Sequence, residues 1–470
     1  MKFIDKDLVS IQEARILLEN SNIAKKSLLQ FSQNKLNEIV ELFYEKIKDE
    51  FMNLAKLSVE ETGYGNIEDE YNEIKIMSKL IYEEIIDKKY IGVLKENNNG
   101  EILEVGIPLG TIVAICPSIN PATAVINIIL NGIKTGNTII FAPTKRAEKI
   151  VGKIVEVFSY IAEKVGLPED TVSCLTTSSR KGVVELINSE SVDLIINIGL
   201  EKYNYELSNI SKPQIYGATG ASPVFIERTA NIQNAVKNII DSRKFNNGIL
   251  PGAEQFVVAD ITIASKVKEE MKLQGAYFMT ESQEEALIDL ILKNEALDEE
   301  YIGKSAEFLA KRAGFNIPEG SSILVSEQKY ISDFNPYSKE LKCPIISYYV
   351  ENDWINACEK CLNLLFESKG HTLAIYSNDS SVIKQFIMIK PVARILVNTG
   401  ASLGAMGITS DLFPSVILGG LTTGLGFLED NLNPTNLRYT RKVGYGEEKI
   451  AYKKDDLMDI LKEILNQLSN

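Results

Sequence analysis

The sequence predicts an α/β protein built from two doubly wound units and a β-hairpin. From 110 to 215, and again from 225 to 400, short apolar runs alternate with helical stretches. The runs are apolar throughout, so they are buried on both faces, and β-α-β-α order then gives parallel sheets covered by helices. A chain of 470 residues exceeds what one core serves, so two such units are expected.

Each element follows from local pattern. Residues 6–88 are predicted helical, because stretches such as "SIQEARILLENSNIAKKSLLQF" repeat apolar positions three and four apart. "KYIGVLKE", "NNNG" and "EILEVGIP" predict a hairpin, since Asn99-Gly100 tolerates the positive φ of a tight turn. In the first unit "GTIVAICPS", "NTIIFAPT" and "SVDLIINIG" are strands, with "ATAVINIILNGIKTG" and "RAEKIVGKIVEVFSYIAEKVG" as helices. In the second unit "PVFIE", "FVVAD", "SSILVSE", "LAIYSND" and "ARILVNT" are strands. The end differs: after a polar linker, residues 455–468 place Leu457, Leu461, Ile464, Leu465 and Leu468 at helical spacing behind acidic residues, predicting a terminal amphipathic helix.

Composition narrows the partners. The apolar fraction of 45% and charged fraction of 24% are those of a soluble globular protein. Fifty basic against 64 acidic residues give a net charge of -14, which repels phosphate backbones and anionic membranes, so neither nucleic acid nor membrane is expected as partner. No apolar run approaches the roughly 20 residues of a membrane helix. Asp5, Asp7 and Glu13 stand where a signal peptide is apolar, so a cytoplasmic location is expected. The five cysteines (Cys116, Cys174, Cys343, Cys358, Cys361) are odd in number and scattered, the pattern of reduced, buried thiols. Cys358 and Cys361 form a CxxC with no second pair, and the chain has one histidine, so no metal is expected.

Nine stretches, in order, carry a resemblance: "SIQEAR", "VEETGYG", "GTIVAICPSINPATAVI", "KTGNTIIFAPTKRA", "GATGASPVFIERTANI", "FNNGILPGAEQ", "IGKSAEFLAKRAGFNIPEG", "GHTLAIYSND" and "ARILVNTGASLGAMG". Over roughly residues 5–445 the chain resembles the aldehyde dehydrogenase superfamily, specifically its CoA-acylating branch of acetaldehyde and succinate-semialdehyde dehydrogenases. The resemblance implies an NAD(P)-binding-type unit from 1–92 and 107–217 and a catalytic-type unit from 218–408. It implies an oligomerisation arm from 93–106 and 431–450, a return to the first unit over 409–430, and a C-terminal helix over 451–470. A homodimer or homotetramer is implied, with NAD or NADP as cofactor and coenzyme A as co-substrate. The family reaction converts an aldehyde, coenzyme A and NAD(P)+ to acyl-CoA and NAD(P)H: a cysteine thiolate attacks the aldehyde, hydride leaves to the nicotinamide, and the thioester passes to coenzyme A. It needs a low-pKa thiolate, an oxyanion donor and a Gly-rich turn at pyrophosphate.

The resemblance assigns these roles residue by residue. Asn120 in "PSINPAT" matches the oxyanion donor. Gly217 stands where hydrolytic members hold the glutamate that activates water, which makes coenzyme A the expected acyl acceptor. The family pattern Phe-Asp-Asn-Gly-x-x-Cys-x-x-Glu-Gln is matched by Phe245, Asn247, Gly248, Glu254 and Gln255, with Pro251 in the cysteine position. A sister register places the thiol at Gly252; proline and glycine are equally inert as nucleophiles. His371 in "SKGHTLAIY" matches a histidine near the family site. On the cofactor side Ala142, Pro143, Thr144 and Lys145 match the adenosine segment, and Gly220 lies in the matching "GATGASP". The pyrophosphate turn has become Gly199-Leu200-Glu201-Lys202, with one glycine left and an acidic residue added, so dinucleotide binding is expected to be weakened or lost.

Three readings stay open at this point. The chain is a catalytically impaired homologue; or it is a working NAD-dependent acylating oxidoreductase with a non-standard nucleophile, Cys116 being nearest in sequence; or it is a non-catalytic assembly partner. In the last, residues 455–468 dock to an active paralogue or to the shell of a bacterial microcompartment, inside which the chain would then reside.

Overall fold

The computed structural model describes residues 5–294, 296–332, 334–389, 392–420, 428–445 and 454–468, the last without the side chains of 454–456 and 468. Parts of the expected return segment (421–427), arm (446–450) and final segment (451–453 and 469–470) lie outside the described residues. The chain opens with helices α1 (Lys6–Leu28), α2 (Gln33–Lys48), α3 (Phe51–Thr62) and α4 (Ile67–Ile85). Asp5, Ser32 and Asn66 cap α1, α2 and α4 with side-chain oxygens, and α3 stops on Gly63 at φ 74°.

Seventeen strands follow among the described residues: β1 (Gly92–Glu96), β2 (Ile102–Pro108), β3 (Thr111–Cys116), β4 (Thr138–Pro143), β5 (Val172–Cys174), β6 (Leu194–Ile198), β7 (Gln214–Gly217), β8 (Ser222–Ile226), β9 (Glu254–Asp260), β10 (Ala276–Phe278), β11 (Leu292–Lys293), β12 (Ala296–Leu297), β13 (Ile323–Glu327), β14 (Ile345–Glu351), β15 (Thr372–Tyr376), β16 (Arg394–Val397) and β17 (Arg438–Lys442). A five-stranded parallel sheet has the order β5-β4-β3-β6-β7, and a seven-stranded parallel sheet the order β10-β13-β14-β9-β8-β15-β16. A smaller antiparallel sheet joins β1, β2 and β17.

Helix α5 (Pro121–Lys134) is buried at every residue. Its polar stripe of Thr123, Asn127, Asn131 and Lys134 is buried along with its apolar face, because α2, α4 and α6 (Glu148–Val165) pack about it and Asn127 and Lys134 find protein partners. Strand β14 is absent from the sequence-predicted strands, yet it occupies an inner position between β13 and β9. Its "IISYYVE" breaks the continuous apolar run expected of a buried strand; Ser347 is accommodated by donating from Oγ to the Tyr337 carbonyl at 2.7 Å.

Strand β3 leads to β4 on one side and to β6 on the other, which makes the gap beyond the carboxyl ends of β3 and β6 the switch point where α/β sheets hold ligands. The loop after β3 carries Asn120 and the loop after β6 carries Gly199. The terminal helix Lys454–Leu468 exposes Leu457, Leu461, Ile464 and Leu465.

Residues 65–70 brace the loop before β9. Asn246 accepts from the Asn66 N–H at 2.9 Å, donates from its own N–H to Asp69 at 2.8 Å, and donates from Nδ2 to Glu70 at 2.8 Å. Gly65 lies beneath: a Cβ there would stand 1.9 Å from Asn246 Oδ1, and its φ is 68°. Gly65→Ala is therefore expected to lower stability by about 2 kcal/mol or more, read as a fall in denaturation midpoint at unchanged slope. An unaltered midpoint would contradict this bracing.

Candidate active site

At the switch point lies a cavity of about 240 Å³. Ile119 and Asn120 line it from the loop after β3, Ile198, Gly199 and Leu200 from the loop after β6, and Ile249, Leu250 and Pro251 from the loop before β9. Asn120 precedes α5 in the left-handed region (φ 47°), a conformation asparagine tolerates. The residue is 5% exposed, and neither Nδ2 nor Oδ1 has a hydrogen-bond partner among the described residues. The cavity is mixed in character, bordered also by Tyr64, Ser118, Thr219, Glu299, Glu340 and Lys342, and the Asn120 amide atoms are closed off from its open space.

The structure separates the two candidate nucleophile positions. Pro251 lines the cavity together with Asn120. Gly252 has φ 69°, and a Cβ there would point elsewhere, 3.2 Å from His371 Cε1 and 3.4 Å from Ser222 Oγ and Thr372 Oγ1. A side chain at 252 would enter the packing between β8 and β15 instead of meeting a carbonyl held by Asn120.

His371 is fully buried. Its Nδ1 lies 2.8 Å from Thr372 Oγ1 and 3.3 Å from Arg394 Nη1. A guanidinium only donates, so Nδ1 is the acceptor and the proton sits on Nε2, which has no partner among the described residues. Burial, then the charge of Arg394, pushes the pKa down to about 3, leaving a neutral ring and a feeble base. Glu254 is also buried and lies apart from the cavity lining. Its carboxyl accepts from Ser242 Oγ and the Ala401 N–H, and burial pushes its pKa up to about 7.

The thiols sit elsewhere. All five cysteines are buried, and Cys116, the alternative nucleophile, is not among the cavity-lining residues. Its thiol donates to the Ala114 carbonyl at 3.6 Å, and burial holds its pKa well above that of an ordinary thiol. A reactive cysteine needs the opposite surroundings.

On the cofactor side Ala142 and Pro143 end β4, buried. Thr144 is half-buried with Oγ1 2.7 Å from Ser118 Oγ, and Lys145 is exposed. Gly199 (φ 68°) donates its N–H to the Asn197 carbonyl at 3.1 Å, and Leu200 donates its N–H to Asn197 Oδ1 at 3.1 Å. Glu201 pairs with Lys369 at 2.7 Å. The amides of Gly199 and Leu200, the first two of the turn, are therefore satisfied internally, and the Glu201 carboxylate stands beside them. Gly199 and Leu200 thus have no free amide to offer a pyrophosphate. Gly220 donates its N–H to Glu340 at 3.0 Å.

The structure also brings in residues that sequence reasoning missed. Arg243 is 2% exposed and donates to the carbonyls of Gly248, Leu341, Cys343 and Ile345. Glu70 and Glu73 lie buried behind Asn246, and burial raises both carboxyl pKa values, that of Glu73 strongly. Sequence spacing offers no link between residues 65–73 and 246; the joint presence of "VEETGYG" and "FNNG" among the family stretches was the available signal.

The sequence pattern of the aldehyde dehydrogenase family matches residues 9–277. A bifunctional aldehyde-alcohol dehydrogenase of Escherichia coli K12 is 30% identical over 453 residues, which are 95% of this chain and 51% of that protein. The chain thus spans about half the length of such curated relatives. A probable aldehyde dehydrogenase from Listeria monocytogenes EGD-e superposes with a TM-score of 0.92 at 36% identity, covering 95% of this chain and 99% of that one. An acetylating aldehyde dehydrogenase from Geobacillus thermoglucosidasius does so with a TM-score of 0.92 at 32% identity, covering 96% and 100%. CoA-acylating enzymes are among the homologues.

Glu254 yields a pH test. Below its ordinary pKa of 4.5 the carboxyl is protonated folded or unfolded, and burial carries no ionisation penalty. Between 4.5 and about 7 the unfolded chain ionises while the fold keeps its proton, so stability falls as pH rises. Glu254→Gln removes this fall. Its stability relative to the parent is expected to rise by roughly 2 kcal/mol from pH 5 to pH 8, measured by denaturant unfolding. A flat difference would show that Glu254 titrates normally.

Proposed function

The chain belongs to the aldehyde dehydrogenase family, and we propose that it keeps the scaffold and carbonyl site of the CoA-acylating branch without the branch's turnover. One observation carries this reading: Pro251, which lines the cavity with Asn120, offers no nucleophilic atom and no N–H. An aldehyde held by the Asn120 amide would meet a proline ring where a thiolate must attack, so no thioester can form and no hydride is released. The internally bonded amides of Gly199 and Leu200, and the Glu201 carboxylate, support loss of tight NAD(P) binding as well. Cys116, buried and with its proton held, gives the rival reading of a displaced nucleophile no support.

The test is a paired assay. With NAD or NADP, coenzyme A and short aliphatic aldehydes, the purified chain is expected to produce no NAD(P)H above a no-enzyme control. Pro251→Cys alone is expected to stay at least ~100-fold below the acetylating Geobacillus enzyme assayed in parallel, because losing pyrophosphate contacts costs several kcal/mol of transition-state binding. Turnover by the parent chain would overturn the reading. A Pro251→Cys variant at the relative's rate would overturn the account of the phosphate turn.

A further inference from the structure

Among the described residues that line the cavity, Lys342 is the one cation, and it stands two positions from Glu340 on the same wall. Alternation of an extended segment puts both there. Leu341 and Cys343 turn into the core, 1% and 0% exposed, whereas the side chains of Glu340 and Lys342 are 27% and 28% exposed and border the open space. The segment is held firmly. Gln255 binds the Lys339 carbonyl and the Leu341 N–H, Arg243 donates to the carbonyls of Leu341 and Cys343, and the Lys342 carbonyl accepts from the Gly303 N–H at 2.8 Å. The two charges lie 3.3 Å apart, and Glu340 also accepts from the Gly220 N–H at 3.0 Å. Glu299, the remaining charged residue of the lining, is 67% exposed and pairs at 3.1 Å with Arg146, which does not line the cavity. Ile198, Leu200, Ile249, Leu250 and Val416 supply apolar wall.

An ion pair on a cavity wall presents a positive and a negative pole side by side. A monoanion meets Lys342 but is repelled by Glu340, and a monocation meets the reverse. A zwitterion with adjacent charges satisfies both, and the protein pair need not break: an ammonium has three donors and a carboxylate about four acceptor sites. Resting on the reading that the site no longer turns over aldehydes, we infer that this cavity binds a small aliphatic α-amino acid, its carboxylate beside Lys342, its ammonium beside Glu340 and its side chain against the apolar walls. An α-amino acid carries both charges on one carbon, a spacing that suits partners 3.3 Å apart. The volume of about 240 Å³ holds roughly eight water-sized units of ~30 Å³ each, the size of a five-carbon amino acid.

Ligand-observed NMR titration of the full chain at pH 7 with L-norvaline, its isomer 5-aminopentanoate, pentanoate and butylamine tests this, with NAD(P)H formation followed on the same preparation. Norvaline is expected to bind in the millimolar range or tighter, and roughly tenfold better than each of the other three, because each lacks one charge or sets the two apart. Lys342→Met removes the cation at similar length. It is expected to weaken norvaline roughly tenfold and to bind butylamine better than the parent does. Glu340→Gln keeps an acceptor for the Gly220 N–H, and is expected to weaken norvaline similarly while binding pentanoate better than the parent. A misfolded variant would gain neither ligand, so the crossed pattern reports on the site itself. Absence of norvaline binding, equal binding of its isomer, or variants without the crossed pattern would overturn the inference while leaving the loss of turnover standing. Aldehyde-dependent NAD(P)H formation would instead remove the reading beneath it.

Discussion

The guanidinium of Arg243, buried between the loop before β9 and the segment 341–345, donates to four carbonyls on the two sides and reaches Gln255 Oε1 at 3.4 Å. Gln255 in turn accepts from the Leu341 N–H at 2.7 Å. With Asn246 and Asn247 held in the left-handed region by contacts to Asp69, Glu70 and the Gly303 carbonyl, residues 245–255 have little freedom. A buried charge that satisfies several carbonyls cannot be moved without orphaning them. The direction in which residue 251 faces is therefore a property of the whole scaffold, and the family geometry persists around a side chain that has no use for it.

Three buried titratable groups outside the cavity lining are pushed toward their neutral forms. His371 is neutral because burial and Arg394 remove its proton, and Glu254 tends to keep its own because burial disfavours the anion. Cys116 is held as a thiol. None of these three groups lines the cavity, and each is shifted toward its neutral form, whereas an acylating enzyme needs an anion poised at the carbonyl. The turn after β6 follows the same course, with Asn197 using amides that would otherwise face a phosphate. What remains is the Asn120 amide beside a cavity of mixed lining.

Much of this was legible in the sequence, unevenly. Apolar runs in alternation with helices identified β3, β4, β6, β8, β9, β13, β15 and β16, because a strand buried on both faces has no polar alternative. Strand β14 was not visible, since Ser347 and two tyrosines interrupt its apolar run and their burial depends on distant partners such as the Tyr337 carbonyl. Strands β5, β7 and β10 are too short for periodicity to register. At the site, Asn120 and Pro251 were named from motif order alone, and the structure places both on one cavity. The choice between positions 251 and 252 was not available from sequence, because it depends on where a Cβ points. The bracing of Asn246 by residues 65–70 was equally hidden, being a contact across 176–180 positions.

The central claim is that no acyl group can be held covalently at the end of this loop. Intact-protein and peptide mass spectrometry after exposure to a short aldehyde with dinucleotide, or to the matching acyl-CoA, addresses it directly. An unchanged mass for the peptide spanning 245–255 and for those carrying the five cysteines is the predicted result. A stoichiometric acyl adduct on any of these peptides would contradict it.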